Sequence, residues 1–259
     1  MASCANCGVA LGGEYCHACG QRAIDDDELT VAHALKVGAN EVLHLESKTL
    51  RTMARLFVPG ALTEAYLAGH RAPYTSPLKL YLACAAIFFL CAPFAGYTLQ
   101  DLLEGDTGGA LKNMVNAETA RSGLTPEHFA ERFNLRFQTV YTLLLFVAML
   151  GSAVMLALLF RRQHRPFGTH VVFELHYVSF LYLSFIALGL ALRPFPLTPL
   201  LSILSAFAVF GPYMFLALRR VYGEPTGRTL WKTVVMLLFA MVFDNLINFV
   251  ALVLMLKLI

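Results

Sequence analysis

The chain of 259 residues is 58% hydrophobic and only 14% charged, which lies above the roughly 45–50% apolar share of soluble domains and well below their roughly 25% charge. Its formal net charge is +3, and its 20 Lys and Arg are spread from Arg22 to Lys257 instead of gathering in one patch, so a nucleic-acid partner is excluded. The first residues hold cysteines and no basic stretch followed by an apolar run, so no cleaved secretory signal is expected.

Four of the six cysteines fall in the first 19 residues as two hooks, Cys4-Ala-Asn-Cys7-Gly8 and Cys16-His17-Ala-Cys19-Gly20. Closely spaced thiols in a reducing cytosol favour a metal over disulfides, and zinc takes four thiolates tetrahedrally at about 2.3 Å. The glycine after each second cysteine can take positive φ and turn backbone N–H groups toward the sulfurs. The spacing predicts one structural zinc ion held by Cys4, Cys7, Cys16 and Cys19 in a zinc-ribbon-like module over 1–24. A redox dithiol pair is the alternative. So small a unit has almost no core, and metal binding, on the order of 10–16 kcal/mol in zinc-finger peptides, would supply its folding energy. Cys84 and Cys91 sit in an apolar stretch and pass as small hydrophobes.

Residues 25–76 read as linker and juxtamembrane helices. Asp25 to Glu28 form a solvated acidic start for a helix over 29–46, where Val31, Leu35, Val42 and Leu45 recur at helical spacing. Over 49–67, Leu50, Met53, Ala54 and Phe57 share one face, and Arg51 and Arg55 form a basic pair on another, before Pro59-Gly60 bends the chain. Two readings stay open for this helix. It lies on the cytoplasmic lipid surface, where each basic residue contributes about 1 kcal/mol near anionic headgroups, or it packs on the protein's own cytosolic face.

Residues 77–259 hold five apolar segments, at about 78–97, 137–160, 171–192, 197–218 and 230–256, each long enough to cross a hydrocarbon core about 30 Å thick. Arg161, Arg162 and Arg165 lie between the second and third, and Arg219, Arg220, Arg228 and Lys232 flank the fourth-to-fifth connection. Short cytoplasmic loops carry such an excess. The amino terminus is therefore expected in the cytosol and the carboxyl terminus outside, with an external loop over 98–136 carrying six acids and four bases. Within that loop Thr125-Pro126 reads as an N-cap with proline at the first helical position.

Ionisable residues inside spans cost about 2.5–3.5 kcal/mol even on insertion scales and call for a reason. Asp244, near mid-span with Asn245 and with Asn248 one turn on, is read either as a hydrogen-bonded helix clamp or as a proton- or cation-binding point facing a polar cavity. His170, Glu174 and His176 cannot meet one metal from a single helix, because Glu174 and His176 lie on different faces. Glu174 is expected to pair with Arg219 or Arg220. No Gly-rich phosphate loop, GxSxG elbow or HExxH helix occurs, so no catalytic residues are assigned.

The order of parts carries a resemblance: CxxCG and YCxxCGQ, then Leu56-Phe57-Val58-Pro59-Gly60, then Tyr66-Leu67-Ala68-Gly69-His70-Arg71 with Tyr74 and Pro77, then apolar spans. This resembles a bacterial family of uncharacterised membrane proteins, domain of unknown function 3667, by motif over residues 4–90 and by hydropathy beyond. The resemblance implies a bacterial inner-membrane location and a zinc knuckle, and no activity.

The chain is thus expected to be an all-α integral membrane protein of five spans, in contact with membrane lipid, whose cytosolic zinc module docks a protein partner or organises assembly. A small-ion or small-solute transporter using Asp244, Asn245 and Asn248 is the second reading, and a lipid-modifying membrane enzyme the third.

Overall fold

The computed structural model describes residues 3–22, 47–91, 99, 103–104, 109–192, 194 and 199–258. The acidic run at 25–28 and the helix expected over 29–46 lie outside these residues. Among the described residues the chain is helical, with no strand beyond two isolated antiparallel bridges, Ser3 to Ala10 and Tyr15 to Arg22, in the amino-terminal module.

Helices α1 (Ser47–Leu56) and α2 (Ala61–Leu67) form a short hairpin. Its turn is set by Gly60 at φ 70°, where a β-carbon would lie 2.9 Å from the Ala217 carbonyl oxygen, so only glycine seats the hairpin this close. Helix α2 closes at Gly69 (φ 93°), with Gly69 N–H on the Tyr66 carbonyl and His70 N–H on that of Ala65, the paired bonds of a Schellman end.

The remaining helices are α3 (Pro77–Cys91), α4 (Ala110–Ser122), α5 (Pro126–Leu159), α6 (Phe167–Leu192), α7 (Pro199–Tyr222) and α8 (Thr226–Leu258). Helix α5 starts where Thr125 Oγ1 accepts the His128 N–H and proline occupies the first turn. It continues unbroken into its apolar half, so 98–136 is not all loop: it contains α4 and the polar start of α5. Helix α6 is central, packed on α3 and α5 and touched by α2, while α8 packs on α5 and α7. At Gly151 a β-carbon would fall 2.8 Å from the Phe243 ring, which marks the close approach of α5 and α8.

Among the described residues, three helical stretches are long and apolar enough to cross a membrane: Phe167–Leu192, Leu204–Tyr222 and Thr226–Leu254. The expected count of five is not supported. The described apolar stretches Pro77–Cys91 and Leu143–Leu159 are shorter than the roughly 20 residues that a perpendicular crossing takes, although helix α5 itself begins well before Leu143. The continuation of the first expected span beyond Cys91 lies outside the described residues.

One apolar core joins α1, α2, α3, α5, α6, α7 and, through Met236, α8, with Leu56, Leu80, Tyr81, Leu156, Phe173, Met214 and Leu218 all fully buried. Aromatic contacts knit it: Phe180 stacks on Tyr213 at 3.5 Å between centroids, and Phe160 on Tyr222 at 3.8 Å. A second cluster of Leu99, Val115, Phe129, Phe133 and Ala251 ties α4 to α5 and α8.

The buried face of α1 is centred on its threonines and not on the face that Leu50 and Phe57 share. Thr49, Thr52 and Leu56 point inward, whereas Leu50 points out. The threonines are satisfied: Thr52 Oγ1 donates to the Lys48 carbonyl and accepts the Thr75 N–H, and the Thr49 and Thr75 hydroxyls lie 3.3 Å apart. Tyr213 Oη donates to the Leu56 carbonyl at 2.6 Å, occupying an acceptor that the helix end leaves free.

Candidate metal centre and its attachment

The two cysteine hooks adopt the same backbone path. Cys4 N–H bonds the Val9 carbonyl and Gly8 N–H the Cys4 carbonyl; twelve residues on, Cys16 N–H bonds the Gln21 carbonyl and Gly20 N–H the Cys16 carbonyl, all at 2.8 Å. Gly8 and Gly20 take φ of 77° and 71°, as the turn requires. The duplication places the sulfurs symmetrically: Cys4 Sγ lies 3.6 Å from Cys19 Sγ and Cys7 Sγ 3.5 Å from Cys16 Sγ, each contact pairing the first cysteine of one hook with the second of the other.

All four sulfurs lie within 4.8 Å of one another, and no disulfide joins them. Tetrahedral thiolates at about 2.3 Å from a metal are separated by about 3.8 Å, so the donor set fits a single ion. Backbone N–H groups supply part of the electrostatics. The hydrogen bond from Gln21, helped by the Asn6 side chain, holds the Cys19 thiol down to about 6, and those from Cys19 and Ala18 lower Cys16. Cys7 also receives the Val9 N–H, but desolvation and the three neighbouring sulfurs outweigh it and push that thiol up to about 12. Protons thus collect on Cys7 while the second hook favours thiolate, the form that ligates metal. Four filled positions leave no open site for substrate, which marks the centre as structural in type. His17, exposed beside Cys16, is not needed as a ligand.

Residue 21 separates the two hooks in role. Val9, its counterpart in the first hook, is exposed, whereas Gln21 is buried against the loop that follows α2. Gln21 Nε2 donates to the Gly69 carbonyl at 2.7 Å, and its Oε1 accepts the N–H groups of Arg71 and Ala72 at 3.0 and 2.9 Å. One side chain fastens the module to the membrane-proximal loop. The sequence holds a signal for this contact only in retrospect: a glutamine directly after CxxCG, and a Gly-His-Arg turn 48 residues later.

The structure scatters the other residues singled out by sequence. Asp244, Asn245 and Asn248 share the outer surface of α8 and are exposed. Asn248 Nδ2 donates to the Asp244 carbonyl at 2.9 Å and to its Oδ2 at 3.0 Å, and Asn245 Nδ2 donates to the Met241 carbonyl, so among the described residues the trio is satisfied within its own helix.

Glu174 is 2% exposed on α6, and its Oε1 has no hydrogen-bond partner among the described residues. The expected pairing with Arg219 or Arg220 is not formed. Both arginines are exposed, and Arg220 reaches back to the hairpin, 3.6 Å from Glu64 and 2.9 Å from the Pro59 carbonyl. The exposed end of α7 places its cations on the hairpin, while Glu174 faces the packed interior. His170 and His176 are buried as well, His170 Nδ1 against Tyr222 Oη at 2.7 Å and His176 Nδ1 against Thr63 Oγ1 at 2.9 Å. A contact that periodicity missed is Lys232 with Glu224 at 2.7 Å, its ammonium 3.8 Å over the Phe160 ring.

These features describe a helical protein with helices long and apolar enough to cross a membrane and a four-cysteine module of metal-binding type fastened to the loop after α2. Within it, residues 46–89 match the family model described as "Protein of unknown function (DUF3667)". The matched stretch is the α1–α2 hairpin with most of α3; the four cysteines lie ahead of it. No curated protein and no solved structure matches the chain.

Proposed function

We propose that the protein is a non-enzymatic component of a bacterial inner membrane whose amino-terminal module, loaded with zinc, docks a protein partner on the cytosolic side. In this reading the shorter apolar helices α3 and Leu143–Leu159 also cross, for five spans with the carboxyl terminus outside. The observation that carries it is the attachment through Gln21. A module with a closed metal site and three hydrogen bonds to the loop at the base of the bundle is built to hold a surface in a fixed place. That surface is the far side of the hooks, where Val9 and Tyr15 stand exposed, Tyr15 at 61%. The exposed Asp244–Asn248 edge of α8 supports the assembly part of the reading, because polar groups on a spanning helix favour contact with another helix over lipid.

The test is photo-crosslinking in cells from a benzophenone amino acid placed at Tyr15. A discrete cross-linked protein that disappears when Cys16→Ser removes a ligand supports docking by the metal-loaded module. Cross-links that persist in Cys16→Ser, or none at all, overturn it.

A further inference from the structure

The exposed face of the α1–α2 hairpin is chemically divided. Lys48, Arg51 and Arg55, at i, i+3 and i+7, form one stripe of α1, all exposed and without an ion pair to any described residue. Beside it stand Leu50, Phe57 and Val58, exposed at 73%, 51% and 40%. The helix buries two threonines through specific hydrogen bonds and turns Leu50 outward, so the outward apolar residues are not leftovers of a core that lacked room.

Depth decides what covers this face. The base of the bundle is marked by the exposed cations Arg161, Arg162, Arg219, Arg220 and Arg228, and by Trp231, exposed on the second turn of α8. Pro59 meets Arg220 at that level, Gly60 packs on Ala217, and the chain then reaches inward: Leu56 bonds Tyr213, nine residues from the end of α7, and Phe57 packs edge-on against Phe180, thirteen residues into α6. At 1.5 Å per residue those positions lie about 13 Å and 20 Å along the spanning helices. The outward ring of Phe57 therefore joins the lipid-facing surface of the bundle, while Lys48 and Arg51, flanking the threonines that meet Thr75 just ahead of α3, stay near its base.

We infer that the outer face of the α1–α2 hairpin is a binding site for anionic phospholipid, with Lys48, Arg51 and Arg55 on the phosphate headgroups and Leu50, Phe57 and Val58 among the upper acyl chains. Three cations that pair with no described residue, beside an apolar wedge, complement an acidic headgroup above its tails. A zwitterionic lipid satisfies the wedge but returns no net charge to the stripe. The inference rests on the membrane placement above and is independent of the docking partner.

The chain has one tryptophan, Trp231, which makes the test direct. The full-length protein is placed in bilayers containing brominated phosphatidylglycerol or, at the same mole fraction, brominated phosphatidylcholine, and tryptophan fluorescence quenching is read. Quenching of native Trp231 checks the membrane placement by itself. The reporter for the hairpin is Leu50→Trp combined with Trp231→Phe. Brominated phosphatidylglycerol is expected to quench it about twofold more than the choline lipid, with the ratio falling to about one when Lys48, Arg51 and Arg55 are all replaced by Gln. Removing an exposed cation far from the hairpin, Arg132→Gln, should leave the ratio in place. Quenching of Trp231 without quenching of the hairpin reporter means that water or protein covers the face, and the inference fails. Equal quenching by both lipids, or a preference that survives the triple substitution, overturns the headgroup assignment.

Discussion

The amino-terminal module and the helical bundle hold themselves together by unlike means. The module has four sulfurs converging on one point, two isolated bridges and no apolar cluster of its own. The bundle has a continuous core of stacked rings and aliphatic side chains running through seven helices. The contrast teaches that one chain can carry two independently failing structures joined by a narrow seam, here the three hydrogen bonds of Gln21.

The sharpest separation comes from taking the metal away. Chelation of zinc, worth on the order of 10–16 kcal/mol in comparable peptides, should unfold residues 3–22 while leaving the thermal transition of the bundle in place, as read by hydrogen exchange of the two regions. Acid acts in the same direction. Cys19 is held down to about 6, so its thiolate persists above that pH and is protonated as pH falls through it. Protons compete with the metal for all four thiolates, so metal retained at pH 7 should be released as the pH is lowered, at a pH below that at which the metal-free Cys19 thiol titrates, followed by a zinc-sensitive dye. A bundle that melts together with the stripped module would break the contrast.

The converse perturbation is a cavity in the core. Phe173→Ala, at a residue 1% exposed, should destabilise the bundle by about 3–5 kcal/mol, seen as a lowered Tm in detergent, with metal content unchanged. The matched change Phe249→Ala on the outside of α8 should cost less than about 1 kcal/mol. Gly60→Ala comes next: its β-carbon would meet the Ala217 carbonyl at 2.9 Å in a left-handed conformation, for about 1–3 kcal/mol and a loosened hairpin. Smallest for the bundle is Gln21→Ala, which should leave its Tm and the zinc stoichiometry unchanged and speed amide exchange at Arg71 and Ala72, because only the three seam hydrogen bonds, about 1 kcal/mol each, are lost.

The metal centre was legible because its chemistry is local: two CxxCG hooks place four donors within 16 residues, and the structure brings all four together. The start of α5 at Thr125-Pro126 was legible for the same reason. What depends on distant surfaces was not. Periodicity found the stripe of Leu50 and Phe57 and left open whether lipid or protein covers it; Thr75, through its hydrogen bonds to Thr49 and Thr52, fixes α1 with Leu50 outward. Apolarity found α6 and α8 alike, yet 39% of the most apolar window of α6 is buried in the protein against 11% for α8. That difference places Glu174 inside and Asp244 outside, and no one-dimensional pattern carries it. Sequence alone offers the arginines at the end of α7 to a carboxylate on the preceding helix, but a short hairpin from much earlier in the chain holds Arg220 instead.

Gln21 lies 48 to 51 residues ahead of the groups it binds. On the ribosome the two cysteine hooks emerge and can capture their ion well before Gly69, Arg71 and Ala72 exist. Attachment then waits until the hairpin and the loop ahead of α3, which begins only five residues after Ala72, have been made. The glutamine acts as a latch that can close only once the hairpin exists, so the order of synthesis is itself recorded in the contact.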